Sequence, residues 1–269
     1  MAPFTCKDFG EIIKGEHYDV VTLRGFLCYH IVTISNYNDE KLLQGRWMLQ
    51  KYEERLIEIK KMLLDLGAEI TMASEKTLSG MESLDISRFD SAKTLLKNVE
   101  NQANAIDNEI VVTLALFGPE AKDLRKMVAY LKITNELVKI AENIRSFSKR
   151  MALHLQSGIS FASLHEYSAH LCKTSIQAVT LSISTIDIVD KEMLEDIYRK
   201  VKVEESKSDD LYSILEKNIL SDIAKLIDQG ADFIQILSTM RKLERMADRS
   251  VNIVQLMIFA RVGGEMKTY

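Results

Sequence analysis

The sequence predicts an all-α protein of two tandem three-helix bundles behind an N-terminal appendage, and three observations carry that prediction. Only two prolines, Pro3 and Pro119, occur in 269 residues, where average composition would give about 13. Proline lacks the N–H and clashes with the preceding turn, so the chain is open to long unbroken helices. Apolar residues recur at three- and four-residue steps from Trp47 onward, which is the spacing of one helix face. The second half then repeats the plan of the first.

Residues 1–44 carry Gly10, Gly15, Gly25, Cys6 and Cys28 and no sustained helical period. They read as an appendage of mixed short structure. The first helix begins near Trp47, with Leu49, Tyr52, Leu56, Ile59, Leu63, Leu66 and Ile70 on one face and Gly80 near its end. A second opens where Asp85 or Ser87 can cap it and runs to Phe117. Gly118-Pro119 stops it and starts the third, with Pro119 in the first turn, where a missing N–H costs nothing. Helix three continues to about Leu155, and Gly158 closes the block. In the second block Phe161 to Ile188 is one helix, Asp190 or Glu192 opens another that reaches Ile227, and Gly230 breaks it. Asp232 to Val262 is the last, ended by Gly263 and Gly264. The predicted divisions are residues 1–44, 45–158 and 159–264.

The repetition is visible in residues as well as in plan. A shift of 106 positions lays Leu131 on Leu237, Leu137 on Leu243, Ala141 on Ala247 and acidic Glu142 on acidic Asp248. Any two amphipathic helices align to some extent, but the shared order of three helices favours duplication.

Composition narrows the function. Apolar residues make up 46% and charged residues 28%, as in a water-soluble chain with a core. A net charge of −4 and a pI near 5.8 argue against a general nucleic-acid binder, which needs a basic face. Cys6, Cys28 and Cys172 form no CxxC pair and are odd in number, which fits a reducing cytoplasm. No basic head followed by an apolar run marks a signal peptide, and the apolar stretch Val20 to Ile34 contains Arg24 and His30.

The informative polar residues are Glu205, Asp209, Glu244 and Asp248, two E-x-x-x-D pairs on the last two helices. An i,i+4 spacing puts both acids of a pair on one face, where they repel unless a cation lies between them. Phe233, Leu237, Met240 and Val251 fall within about 40° of Glu244 around its helix. Leu194, Tyr198, Val201, Tyr212 and Ile223 share the face of Glu205. Acids on an apolar stripe need a partner. The short turn near Gly230 makes the two helices antiparallel neighbours, so the pairs can face each other. Four carboxylates suit hard cations such as Fe³⁺, Mn²⁺, Mg²⁺ or Ca²⁺. The competing account pairs these acids with Lys202, Arg241, Arg245 or Arg249 at the bundle edge. His165 and His170 imitate a zinc-protease motif with one residue too many, about 140° apart on a helix. No Gly-rich phosphate loop, nucleophile elbow or triad is present, so no catalytic residue is assigned.

Leu243-Glu-Arg-Met-Ala-Asp248 followed by Asn252-Ile253 resembles the L-E-R-I-G-D…N-I signature of the PhoU family. Pro119-Glu-Ala-Lys-Asp-Leu-Arg125 resembles its P-x-A-x-D-L-R segment. The resemblance covers residues 46–264. It implies two three-helix repeats, each able to hold a multinuclear metal cluster, with iron the expected metal and Mn, Mg or Zn as alternatives. It implies a cytoplasmic negative regulator of phosphate uptake and phosphate-starvation signalling. The implied partners are a phosphate ABC transporter ATPase, a sensor histidine kinase and a second copy of the chain in a homodimer, with the membrane reached only through those partners. In the first repeat the family's acidic positions correspond to Ala103 and Asp107 and to Val138 and Glu142. Alanine and valine cannot ligate metal, so a single cluster is expected, in the C-terminal repeat. Two other readings stand beside this one. A ferritin-like metal enzyme would need Glu-x-x-His pairs at the matching positions, and none occurs there. A structural or oligomerising bundle without metal would leave the acids solvated.

Overall fold

The computed structural model describes residues 23–157, 162–225 and 229–263, with side chains at 48–157, 164–224 and 229–263. The described chain is helical, without a strand. It divides into two units, Met1–Lys51 and Tyr52–Tyr269. In the first, the described backbone is helical from Leu23. The second holds the remainder of that helix, α1 (Leu23–Ser83), and then α2 (Ile86–Leu95), a 3₁₀ turn (Leu96–Asn98), α3 (Val99–Phe117) and α4 (Ala121–Gln156). The second half supplies α5 (Ala162–Ser184), α6 (Lys191–Lys225) and α7 (Gly230–Val262).

Two expectations about the first block are corrected. Helical backbone starts at Leu23, well before Trp47, in a stretch expected to be mixed short structure. No proline lies between Leu23 and Ser83, and a helical glycine such as Gly25 costs about 1 kcal/mol without breaking the hydrogen-bond ladder. Residues 1–22 of the expected appendage lie outside the described residues. The second expected helix is also divided, by the 3₁₀ turn at Leu96–Asn98. Phe89, Ala92, Leu96, Val99, Ala103, Ile106 and Ile110 nevertheless stay buried in unbroken three- and four-residue steps. One tightened turn leaves the apolar face in register, so periodicity does not reveal it.

The helix ends follow local chemistry. Asp85 caps α2 by accepting from the Ser87 N–H at 2.9 Å. Asp190, not Glu192, caps α6 by accepting from the Met193 N–H at 2.8 Å. Gly118 closes α3 in the left-handed region at φ 50°, donating to Leu114 O, where a side chain would be strained. Pro119 precedes the cap position Glu120 instead of entering the first turn of α4. Gly230 opens α7 and does not stand ahead of it. Gly158, Phe161, Ile227 and Gly264, named above as helix limits, lie outside the described residues.

Within Tyr52–Tyr269 the two halves share one core. α2 and α3 pack on α4, α5 packs on α6 and α7, and α6 packs on α7. Extensive packing joins α4 to α7, the last helix of each half. Leu63, Phe89 and Phe147 from the first half and Leu171, Leu194 and Met240 from the second belong to the same apolar cluster. Phe89 and Phe147 meet edge to face at 6.2 Å. Polar links cross the α4–α7 seam: His154 Nε2 lies 3.0 Å from Thr239 Oγ1, and Arg249 Nη1 donates to Glu136 Oε2 at 3.0 Å. α1 and α5 also approach closely, since a Cβ on Gly67 would lie 2.7 Å from Ile183 Cγ2.

Candidate metal centre

The acids sit on two helices with regular buried lines. Leu194, Val201, Ser208 and Leu215 on α6 are buried at seven-residue steps, and so are Ile236, Leu243, Ser250 and Met257 on α7. Such lines hold two helices face to face along their length. Glu244 lies beside this seam, between Met240 and Ala247, and only 6% of it is exposed.

The structure brings three of the four predicted acids together. Asp209 of α6 and Glu244 and Asp248 of α7 each offer a carboxylate oxygen, all within 4.8 Å of one another. Oxygens that far apart or closer can surround one cation with bonds of about 2.0–2.6 Å. Glu205 is not in that group. It accepts from Lys202 Nζ at 2.9 and 3.0 Å, as the edge-pairing account expects. Arg241 behaves similarly towards Glu244, with Nε 3.1 Å from Oε2 and the guanidinium 4.9 Å from the centre of the Tyr212 ring. That contact is not aligned as a hydrogen bond, so buried Glu244 Oε2 has none. A buried carboxylate oxygen without a hydrogen bond is costly, and it is the atom a cation would satisfy.

The electrostatics agree with the geometry. Burial pushes the Glu244 pKa up to about 7, with Asp248 adding to the rise and Arg241 opposing it. Burial raises Asp248 too, followed by Asp209 and Glu205. Asp209 is raised by partial burial and by Glu205. Three acids whose ionisation is resisted in one place form a site that positive charge would stabilise. The residues therefore fit a hard cation, with Asp209, Glu244 and Asp248 as oxygen donors.

The first half offers no such group among the described residues. Ala103 is buried, Val138 is half-buried and Glu142 is exposed. Asp107 alone keeps an unpaired buried Oδ1, and burial raises its pKa. His165 Nε2 lies 3.0 Å from Met81 O, and among the described residues neither His165 nor His170 joins a metal-capable cluster.

A cleft of about 640 Å³ between α6 and α7 is lined by Asp248 of the acid group and by Glu205. Lys202, Arg245 and Arg249 also line it, as does Gln255, whose side chain donates to Tyr198 Oη at 3.2 Å. Sequence reading placed these cations only as partners of the acids and missed Gln255. The available signal was a polar stripe on α7, with Arg245, Arg249 and Asn252 at steps of four and three.

Comparison with known proteins agrees with the fold. The sequence profile described as "PhoU domain" matches residues 63–151 and 169–257. Both limits of the two copies are offset by 106 residues, the same shift that aligns Leu131 with Leu237. A phosphate-specific transport system accessory protein PhoU homolog of Xylella fastidiosa (strain 9a5c) is 26% identical over 227 residues, covering 81% of this chain and 90% of that protein. A homolog of the same description from Zymomonas mobilis is 23% identical over 222 residues, with 81% and 90% covered. The crystal structure of PhoU from Pseudomonas aeruginosa aligns with a TM-score of 0.72 at 19% identity, covering 79% of this chain and all of that one. PhoU from Streptococcus pneumoniae, described as a phosphate transport system regulatory protein, gives 0.68 at 21% identity, with 81% and 100% covered. With two copies of the domain spanning well over half of its length, this chain belongs to the PhoU family.

Proposed function

We propose that this protein is a negative regulator of phosphate uptake and phosphate-starvation signalling that acts by binding, not by catalysis. The observation that carries the reading is the pair of PhoU domains at a fixed offset, in a chain that covers most of relatives described as phosphate-transport accessory proteins. Its partners in this reading are the ATPase of a phosphate ABC transporter, a sensor histidine kinase and a second copy of itself. No described helix is long and apolar enough to cross a membrane, so membrane contact would come through those partners.

Metal has a bracing role in the proposal. Asp209, Glu244 and Asp248 would hold a hard cation, expected to be iron in a multinuclear cluster, and so tie α6 to α7. Bound cation would supply the positive charge these acids lack. Glu205, one turn from Asp209, would join them on releasing Lys202. A second reading, a helical scaffold without metal, draws support from the Lys202–Glu205 and Arg241–Glu244 ion pairs.

Two measurements test the proposal. Deleting the gene should derepress phosphate-scavenging genes in rich phosphate, and tagged protein should co-isolate the transporter ATPase. Unchanged expression together with no ATPase recovered would overturn the regulatory reading. Metal analysis of native protein should find cation that is lost when Asp209, Glu244 and Asp248 are all replaced by alanine. Equal metal in both proteins would favour the metal-free scaffold.

A further inference from the structure

The outer edge of the α4–α7 seam is charged unequally at its two ends. At one end Glu136 of α4 accepts from Arg249 of α7 at 3.0 Å and lies 3.6 Å from Lys139. The 106-residue shift carries Glu136 to Lys242, Lys139 to Arg245 and Asn143 to Arg249. At the other end a lysine therefore stands where the glutamate was, and an asparagine where the arginine was. Arg150 joins this end from α4 and donates through Nη1 to Ser238 Oγ of α7 at 3.4 Å. Arg150 and Arg245 are exposed and Lys242 is half-buried, and none of the three makes an ion pair among the described residues. Burial, then Arg150 and Arg245, lower the Lys242 pKa, and no carboxylate counters them. The acids of these stretches are engaged or placed elsewhere. Glu136 is held by Lys139 and Arg249, and Glu244 by Arg241. Asp248 belongs to the acid group with Asp209 of α6. Glu142 is about 100° around α4 from Asn143, and Asp232 acts on His154, one turn beyond Arg150. Leu153 and Ile234, both more than half exposed, stand one turn from Arg150 and from Ser238. The two helices run antiparallel, so this apolar pair lies at the same end, next to the cations.

We infer that Arg150, Lys242 and Arg245, with Leu153 and Ile234 beside them, form a docking surface for an acidic, amphipathic segment of another protein. Like charges gathered without acids repel one another, and a carboxylate-bearing partner removes that repulsion as it binds. Guanidinium groups match carboxylates through paired N–H donors. Complementary charge of this kind fixes which partner binds and in what register. Leu153 and Ile234 add a place for large apolar side chains on the same segment. A nucleic-acid strand would leave that pair unused, and the chain as a whole carries −4. A bilayer surface needs a longer apolar face than two residues supply. Any protein with such a segment satisfies this chemistry, so the surface does not depend on the regulatory reading.

The test uses the full chain to select from a random-peptide library, and fluorescence anisotropy then measures the selected peptides. Enrichment in Asp or Glu together with large apolar residues is expected, with binding that weakens as salt is raised. K242E gives the second half the charge pattern of the first, a glutamate three residues before a basic side chain. The variant should fold with equal or higher thermal stability and bind the peptides about tenfold or more weakly, since an attractive charge becomes repulsive. R150E, at an exposed position, should weaken them similarly. A purely structural Lys242 would give the opposite pair of results, a lower melting temperature with peptide binding unchanged. That outcome would overturn the inference, as would failure to select any peptide, selection without acidic enrichment, or affinities that neither variant alters. Tighter binding of a single-stranded oligonucleotide or of phosphatidylglycerol vesicles than of the best peptide would overturn it too. None of these readouts involves phosphate-scavenging genes or the transporter ATPase, so failure here and failure of the regulatory reading are separate results.

Discussion

At the scale of single residues, Glu244 shows how a buried carboxylate is held at a cost to the fold. Burial lifts its pKa to about 7, so the folded protein binds a proton there more tightly than the unfolded chain does. Stability from that proton is complete below the ordinary carboxylate range and is lost as pH rises to about 7. In metal-free protein at pH 8, Glu244→Gln should therefore raise stability, by on the order of 2 kcal/mol, while lowering metal affinity. Urea unfolding at pH 5 and pH 8 checks this, with the gain confined to the higher pH. A substitution that destabilises equally at both would show that the carboxylate is satisfied within the fold. The partial burial of Glu244 and Asp248 was legible because they interrupt an apolar stripe whose period is fixed by the helix. The separation of Glu205 from Asp209 was not legible. Both lie on the same face of α6, but Glu205 turns to Lys202 and stands outside the group.

At the scale of elements, the contact between α4 and α7 joins the halves and contains a titratable group. Burial, followed by Arg150, lowers the His154 pKa, and Asp232 partly opposes them. The folded state therefore favours the neutral ring, which contacts Thr239. Stability from the neutral form is present above about pH 6.5 and is lost as pH falls below it. His154→Gln should flatten the acid side of the stability profile between pH 7 and pH 5, measured by thermal melts. An identical slope in the variant would place the acid sensitivity elsewhere. Helix existence and most ends could be read from local chemistry, because Asp85, Gly118 and Asp190 act on backbone atoms within a few residues. The start of α1 and the 3₁₀ turn could not. The first has no proline to mark it, and the second preserves the apolar period.

At the scale of the whole molecule, duplication was legible and its packing was not. An offset of 106 residues shows that two units share a plan, but it is silent on whether their cores are separate. Leu63, Phe147, Leu171 and Met240 belong to one continuous cluster, so residues 52–269 should unfold in a single transition. Differential scanning calorimetry tests this, with one peak whose calorimetric and van't Hoff enthalpies agree. Two resolved peaks would mean that the halves melt independently.

That common interior bears on Ala103 and Val138, which the 106-residue shift lays on Asp209 and Glu244. A repeat that stood alone would have to be stable by itself, and surrendering its cross-links could undo it. Here the plainer half leans on its sibling through α4 and α7, and returns the favour by lending a wall to the half that kept its carboxylates. Division of labour between twins is then a matter of packing: one can become ballast and the other an instrument without either coming loose.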